Sequence, residues 1–362
     1  MSVNKICLII PSLKTGGTQR FVSYLFNYLN RELFEVHLIL LNGEDIIGSL
    51  DKANLNIHIL NFKKVRLSIF MIYKKVSEIR PDIIMTFQSH LSIYLIFFKI
   101  FFSKKIKFIA RESNLVSFKN KTFRYPLLLD FLYRNLFCNF DKIVCQSEDM
   151  LNDLNDNYLL PQKKLIKINN PIDTSYIDSM ILNADSESIK YDFITCASTL
   201  SPQKGLSRLI NSFSFIKDKN LTLAILGDGE SRIFLQKQID KLGLRSNVFL
   251  LGLKNNPYKY IIASKVYVLS SFFEGFPNVL LEAGYLEKPC VSFNVKGGIN
   301  EIILNGKNGF IVDGSNKEFS EILVKALDFE FEKNFIKKNI AENFSIDKII
   351  SEYEEFFISQ LN

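Results

Sequence analysis

The sequence has no tryptophan, no Cys-x-x-Cys pair, no Gly-x-Gly-x-x-Gly and only three histidines. Each gap narrows the chemistry. His37, His58 and His90 are dispersed, as are the five cysteines Cys7, Cys138, Cys145, Cys196 and Cys290, so no zinc site can be read and the expectation is no metal. Four of the cysteines lie in or beside apolar runs such as KICLII and KIVCQS, the pattern of reduced, buried thiols in a cytoplasmic protein. A dehydrogenase is not indicated: the glycine fingerprint is missing, and no acidic residue stands out after the second strand to hold a ribose. The longest apolar run, LSIYLIFFKIFF (91–102), is broken by Lys99 and is too short to span a bilayer. MSVNKICLIIPSL at the start reads as a core strand and not as an export signal. The expectation is a protein that does not cross a membrane but is free to lie on one.

What is present is a globular composition. Of 362 residues, 47% are hydrophobic and 23% charged, which suits two domains of about 150–200 residues each. Charge is divided unevenly. Residues 1–170 hold 24 Lys and Arg against 14 Asp and Glu, a net of +10, and residues 171–362 hold 21 against 24, a net of −3.

The first half alternates short apolar runs with amphipathic segments. KICLIIPSL, FEVHLILL, LNIHIL, PDIIMTF, KIKFIAR and DKIVCQS read as strands, with helical patterns among them, which implies βαβ units and a parallel sheet. NNPIDTSYIDSM (169–180) and NADSESIK (183–190) read as a linker. The pattern then restarts with YDFITCAS, LTLAILGDGE, NVFLLG, VYVLSS and PCVSFN as strands, so the chain reads as two Rossmann-type sheets in tandem. SIDKIISEYEEFFISQL at the end has helical spacing.

In such sheets ligands bind at the carboxyl ends of the strands. Four Gly-containing turns occupy such positions. Gly16-Gly17 follows the first strand and could bring backbone N–H groups to an anion. Lys204 precedes Gly205 in STLSPQKGLSRLI, where an ammonium and a helix start suit a phosphate, although a lone loop lysine is also common solvated surface. Asp228-Gly229-Glu230, after Gly227, reads as a turn with Asp228 or Ser231 capping the next helix and not as a metal motif. The fourth is SSFFEGFPNVLLEAGYLEKPCVSF (270–293), where Pro277 suits a helix's first turn. Glu274 precedes that helix and Glu282 lies within it, in an apolar run where an unpaired carboxylate would be costly. A helix start between two carboxylates suits a diphosphate flanked by hydroxylated rings, the shape of a nucleotide sugar.

EGFPNVLLEAGYLEKPCVSF resembles the Glu-x7-Glu signature of the retaining GT-B glycosyltransferases of family 4 (glycosyl transferases group 1). The likeness extends, in family order, through GGTQRF, CQSEDM, NNPID, LSPQKG, LAILGDGESR, VFLLG, SSFFEGFPNVLLEA and GGINEIILNGKNGFIV. It implies an α/β GT-B fold, with two Rossmann-like domains facing across a cleft. The N-terminal acceptor-binding domain would take residues 1–172 with the C-terminal helix 345–362 closing back toward it, and the nucleotide-sugar-binding domain residues 191–344. It further implies that Glu282 receives the ribose hydroxyls and Glu274 the donor sugar. Lys204, the Gly16-Gly17 loop and the amides of Gly275, Phe276, Pro277 (which has no N–H to give), Asn278 and Val279 would surround the diphosphate, with Thr199 and Gly227 beside it. Catalysis would rest on Glu274, Lys204 and Glu282 without metal or other cofactor, the nucleotide sugar, UDP-linked, being a co-substrate. Three positions depart from the family pattern. Thr199 stands where an arginine is usual, Gln19 replaces a glutamate, and RESN replaces a histidine, placing Arg111, Glu112 and Asn114 on the acceptor side.

The basic half interleaves aromatics with cations in FKKVRLSIFMIYKKV (62–76), LIFFKIFFSKKIKF (95–108) and KTFRYPLLLDFLYRNLF (121–137). Such segments suit an anionic bilayer surface, and no nucleic-acid motif accompanies them. His90 could line the site but reads better as structural, as do His37 and His58. The expectation is a glycosyltransferase extending a polyprenyl-diphosphate-linked or other glycan acceptor at the inner face of the membrane, in surface-polysaccharide synthesis such as O-antigen or capsule. The alternatives are a catalytically inactive sugar-nucleotide-binding scaffold and a sugar-nucleotide 2-epimerase.

Overall fold

The computed structural model describes residues 3–14, 16–43, 50, 56–62, 64–182, 193–216 and 220–361. They form two compact units, one of residues 1–171 with 346–362 and the other of 172–345.

Unit 1 begins with β1 (Asn4–Ile10), α1 (Gly17–Tyr28), β2 (Phe34–Leu40), β3 (Ile57–Ile59), α2 (Val65–Ile79), β4 (Ile83–Thr86) and α3 (Ser89–Phe97). It continues with β5 (Lys107–Arg111), α4 (Val116–Asn120), α5 (Pro126–Leu136), β6 (Lys142–Cys145), α6 (Glu148–Tyr158) and β7 (Leu165–Lys167). The seven strands are ordered β3-β2-β1-β4-β5-β6-β7, and every pairing is parallel. β1 is the pivot, with Ile6 registered on Val36 of β2 at one side and on Ile83 of β4 at the other. The central strands are apolar throughout because helices cover both faces; all four residues of β4, IIMT, are buried.

Unit 2 contains α7 (Thr174–Leu182), β8 (Phe193–Ala197), α8 (Leu206–Phe213), β9 (Thr222–Leu226), α9 (Arg232–Lys241), β10 (Val248–Gly252), α10 (Tyr258–Ala263) and β11 (Val266–Leu269). It closes with α11 (Asn278–Tyr285), β12 (Cys290–Phe293), α12 (Ile299–Ile302), β13 (Gly309–Val312), α13 (Asn316–Asp328) and α14 (Lys333–Phe344). Its sheet is ordered β10-β9-β8-β11-β12-β13, again all parallel. Both sheets therefore run outward from their first strand in two directions, and both have a switch point beside it: β1/β4 in unit 1 and β8/β11 in unit 2. Helix ends carry legible caps, including a capping box between Ser315 and Glu318 at α13 and Ser147 accepting from the Met150 amide at α6.

The last helix, α15 (Ile346–Leu361), packs into unit 1. Ile349, Ile350, Tyr353, Phe356 and Phe357 recur at helical spacing and join the core formed by Phe21, Phe26 and Phe34. Burying an aromatic side chain of this kind contributes about 1.5–3 kcal/mol.

Several details differ from the sequence reading. Part of the supposed linker 169–180 is the helix α7, whose Ile177 enters the core of unit 2 with Tyr258 and Ile261. Ile172 also belongs to unit 2, where its N–H donates to the Phe344 carbonyl. Residues 183–190 lie outside those described. Cys138 is exposed, unlike the other four cysteines, because it sits in a 3-10 turn after α5 and not in a strand.

Candidate nucleotide-sugar site

The loops that leave β8 and β11 at their carboxyl ends are laced together. The Ser270 hydroxyl donates to the Lys204 carbonyl at 2.9 Å, the Phe272 amide to the Gln203 carbonyl at 2.9 Å, and the Gln203 side-chain amide to the Phe273 carbonyl at 3.1 Å. Gly205 makes this approach possible. Its φ is +59°, and a Cβ there would stand 2.0 Å from the Ser270 carbonyl oxygen. Within the strands themselves, the Tyr267 hydroxyl accepts from the Ala197 amide and donates to the Ala197 carbonyl, which ties β8 and β11 together.

On this frame the Lys204 ammonium meets the Glu274 carboxylate at 2.7 Å. Glu274 is only 6% exposed, and the Ser271 hydroxyl donates to the same Oε1. The Glu274 backbone is held as well: its amide donates to the Lys296 carbonyl, and a Cβ on Gly297 (φ +131°) would stand 2.4 Å from its carbonyl oxygen. Gly275 follows, its carbonyl accepting from the Gly298 amide. Pro277 is the residue just before α11, so the helix starts at Asn278 with its first amides at this edge of the sheet. Asn278 and Val279 are half-buried there. The Phe276 ring is a core side chain packed on Phe344, so only its backbone is available to a ligand.

Glu282 lies one turn into α11, half-buried, with the Tyr258 hydroxyl donating to its Oε1 at 3.4 Å. Gly227 follows β9 with its amide on the Gly252 carbonyl, and Thr199, after β8, is exposed. In the next turn Asp228 accepts from its neighbour Gly229, while Ser231 stands at the start of α9 without making a side-chain capping bond, so the turn is shaped by Asp228 alone of the two proposed caps. The structure thus gathers Lys204, Glu274, Gly275, Asn278, Val279 and Glu282 on unit 2. Gly16 and Gly17 belong to unit 1, where they are exposed at the start of α1.

Two residues that the sequence reading passed over support this frame. Arg208 in α8 donates from Nε to the Ser270 carbonyl at 2.6 Å and from Nη2 to the Ser271 carbonyl, with its guanidinium over the Phe272 and Phe293 rings. Burial lowers its pKa to about 10. Tyr258 is the second. Neither has a local signal, since an arginine in GLSRLI reads as a solvated helix residue and a tyrosine after Asn-Pro as a helix start.

The acceptor-side expectation requires correction. Arg111 is 1% exposed: Nε donates to the Tyr353 hydroxyl at 3.0 Å, Nη2 to the Asn170 side chain, and the guanidinium lies 3.7 Å from the Phe21 ring centroid. It braces β5 against α15 and has no surface with which to touch an acceptor. Glu112, 2% exposed, accepts from the Ser89 and Tyr133 hydroxyls, each at 3.1 Å. Burial raises its pKa, opposed by Lys119 and by those two donors. The Asn114 side chain accepts from the Leu115 amide. His90, read as structural, is instead exposed at the start of α3, whereas His37 and His58 stack on adjacent strands with ring nitrogens 3.2 Å apart. Among the described residues no His, Cys, Asp or Glu cluster could hold a metal ion, and no helix is long and apolar enough to cross a membrane.

Comparison with known proteins covers both units. Residues 15–176 match the family model "Glycosyltransferase Family 4", and residues 183–342 match "Glycosyl transferases group 1". A Campylobacter jejuni protein, N-acetylgalactosamine-N,N'-diacetylbacillosaminyl-diphospho-undecaprenol 4-alpha-N-acetylgalactosaminyltransferase, is 28% identical over 96% of this chain and 97% of its own. An Escherichia coli UDP-Gal:alpha-D-GlcNAc-diphosphoundecaprenol alpha-1,3-galactosyltransferase is 25% identical over 96% and 94%. Among solved structures, an Anabaena protein in complex with UDP superposes with a TM-score of 0.79 at 18% identity, covering 99% of this chain and 100% of that one. At that identity the superposition establishes the fold alone.

Proposed function

The chain belongs to the GT-B-fold glycosyltransferases, and from that premise we propose that it moves a hexose or N-acetylhexosamine from a UDP-sugar to a lipid-linked glycan in bacterial surface-polysaccharide synthesis, with retention of configuration. The observation that carries this reading is the Lys204–Glu274 pair at the β8/β11 switch point, beside the start of α11. A diphosphate entering there meets one ammonium and the N-terminal end of a helix, both of which favour the charge that grows on a leaving nucleotide. Glu274, already receiving Lys204 and Ser271, presents a fixed carboxylate to sugar hydroxyls. Glu282, which receives the Tyr258 hydroxyl on Oε1 at 3.4 Å, is a carboxylate with lone pairs suited to ribose hydroxyls. No metal is needed in this scheme.

The acceptor is assigned to unit 1. Both undecaprenol-linked relatives name lipid-linked sugars as their acceptors. Unit 1 also exposes large apolar side chains, including Phe70, Phe97, Ile100 (83% exposed), Leu127 (82%) and Phe131, within a few positions along the chain of Lys74, Lys99, Arg124 and Arg134. That surface suits peripheral attachment to an anionic bilayer on the cytoplasmic side.

The test is thermal unfolding with UDP, GDP, ADP and their sugar conjugates, for wild type and Glu282→Ala. A ligand at about 100 times its Kd adds about 2.7 kcal/mol. A UDP-specific stabilisation that Glu282→Ala loses is the expected result. Absence of any nucleotide effect on wild type refutes the donor assignment.

A further inference from the structure

We propose that the groove between α3 and α5 of unit 1 holds the isoprenoid chain of a polyprenyl diphosphate, with the diphosphate in the polar cavity that adjoins it. The inference rests on the lipid-linked acceptor reading above and adds the place and the residues.

Two cavities meet here. The first, of about 580 Å³, opens at the carboxyl ends of β1, β4 and β5, the switch point of the unit 1 sheet. Thr18, Gln88, Ser89, Ser113 and Lys119 are among the residues lining it, and none of its lining residues is a carboxylate. Glu112 lies behind its wall, covered by the Ser89 and Tyr133 hydroxyls that donate to it, and burial favours its uncharged form. Besides the Ser89 hydroxyl given to Glu112, the cavity therefore offers an anion the Lys119 ammonium, the Thr18 and Ser113 hydroxyls and the Gln88 side-chain amide.

The second cavity, of about 500 Å³, shares His90, Ile93 and Leu129 with the first. Its other walls are apolar or aromatic: Tyr94, Phe97 and Phe98 from α3 and its end, Leu132 and Leu136 from α5. The lining positions 90, 93, 94 and 97 fall on one face of α3, and 129, 132 and 136 on one face of α5. Both volumes fall in the range of about 300–1,000 Å³ usual for ligand sites. A polar chamber opening into an apolar groove matches an amphiphile with an anionic head and a hydrocarbon tail. The groove also lies among the exposed apolar side chains assigned to the bilayer surface, so a chain can enter it directly from the membrane. A flat bilayer contact uses outward-facing side chains such as the exposed Leu127 and Phe131. Ile93 and Leu132, half-buried between two helices, call for a single chain.

The probe is farnesyl diphosphate, titrated calorimetrically into the full chain beside inorganic diphosphate, farnesol and phosphatidylglycerol vesicles. The expected result is binding at least tenfold tighter for farnesyl diphosphate than for inorganic diphosphate. Leu132→Asn then weakens farnesyl diphosphate at least tenfold and leaves inorganic diphosphate unchanged, while Lys119→Ala weakens both. Ile93→Asn serves in place of Leu132→Asn if that variant does not fold, as judged by circular dichroism. Equal binding of the two diphosphates, or farnesyl diphosphate binding that ignores both groove variants, overturns the proposal. So does binding to vesicles without binding to farnesyl diphosphate, which assigns the surface to bulk lipid. If farnesyl diphosphate behaves as expected and UDP has no effect on stability, the donor reading fails and the groove stands. If the chain glycosylates a lipid-linked acceptor but the groove variants change nothing, the groove fails and the acceptor reading stands.

Discussion

Removing the ammonium of Lys204 tests whether the proposed donor site is held together electrostatically. In Lys204→Met the Glu274 carboxylate keeps the Ser271 hydroxyl but loses the charge 2.7 Å away. Breaking a buried ion pair by deleting one partner costs about 3–5 kcal/mol, whereas an exposed pair is worth about 0–1 kcal/mol. The Lys204 and Glu274 side chains are 23% and 8% exposed, so water reaches the cation and reaches the anion far less. The expected loss lies between the two limits, at about 2 kcal/mol. For a unit of this size each kcal/mol moves Tm by about 2–4 °C, giving a fall of about 4–8 °C. Glu274→Gln on the same background removes the stranded charge, and the double variant should recover part of the loss, as residues coupled by about 1–2 kcal/mol do. Thermal unfolding followed by circular dichroism measures all four proteins, with and without UDP. A fall below about 1 °C for Lys204→Met, or a double variant whose loss equals the sum of the single losses, refutes the argument. In a folded Lys204→Met the stabilisation by UDP should also be largely lost.

Two further predictions concern the frame and unit 1. Gly205→Ala forces a Cβ to within 2.0 Å of the Ser270 carbonyl at a φ of +59°, so it should destabilise unit 2 by about 1–3 kcal/mol and weaken UDP binding by displacing Lys204; an unchanged Tm and UDP response would show that the loops do not depend on this approach. Glu112 has a pKa raised by burial, so the folded state binds more protons than the unfolded chain above about pH 4.5, and wild-type stability is progressively lost from this source as pH rises through the folded pKa. Glu112→Gln lacks that loss, and its stability relative to wild type should improve as pH rises above about 4.5 in urea unfolding; a difference independent of pH contradicts the raised carboxyl pKa.

The architecture was legible because parallel strands covered on both faces read as near-continuous apolar runs, and IIMT, KIVC, VYVL and CVSF stand out as such. β7 escaped the residue reading because three residues, LIK, carry no period, and α7 because polar residues between its apolar positions resemble a linker. The Glu274–Glu282 spacing was visible as a helix start between carboxylates. What the sequence conceals is direction and partnership across distance. Arg111 and Glu112 are adjacent and both ionisable, yet both turn inward, one to Tyr353 and the other to Tyr133. Arg208 sits 62 residues from the carbonyl it holds. His90 looks like its two fellow histidines in composition and differs from them only in lying beyond a strand end instead of within one.

The two sheets share one geometric reason for having sites. In each, the strand order turns at the first strand, so the connections after β1 and β4, and after β8 and β11, leave on opposite faces and cannot fill the gap between them. Unit 2 lines that gap with backbone-laced loops, a lysine–glutamate pair and a helix start, a rigid arrangement suited to a ligand whose charge changes during reaction. Unit 1 lines the equivalent gap with hydroxyls, Lys119 and two helices that present apolar faces to one another. The difference follows from side chains on a common backbone plan. On the function proposed above, the first gap would receive a small polar donor and the second a molecule that is polar at one end only, the division of labour that transfer from a nucleotide sugar to a lipid-linked acceptor demands.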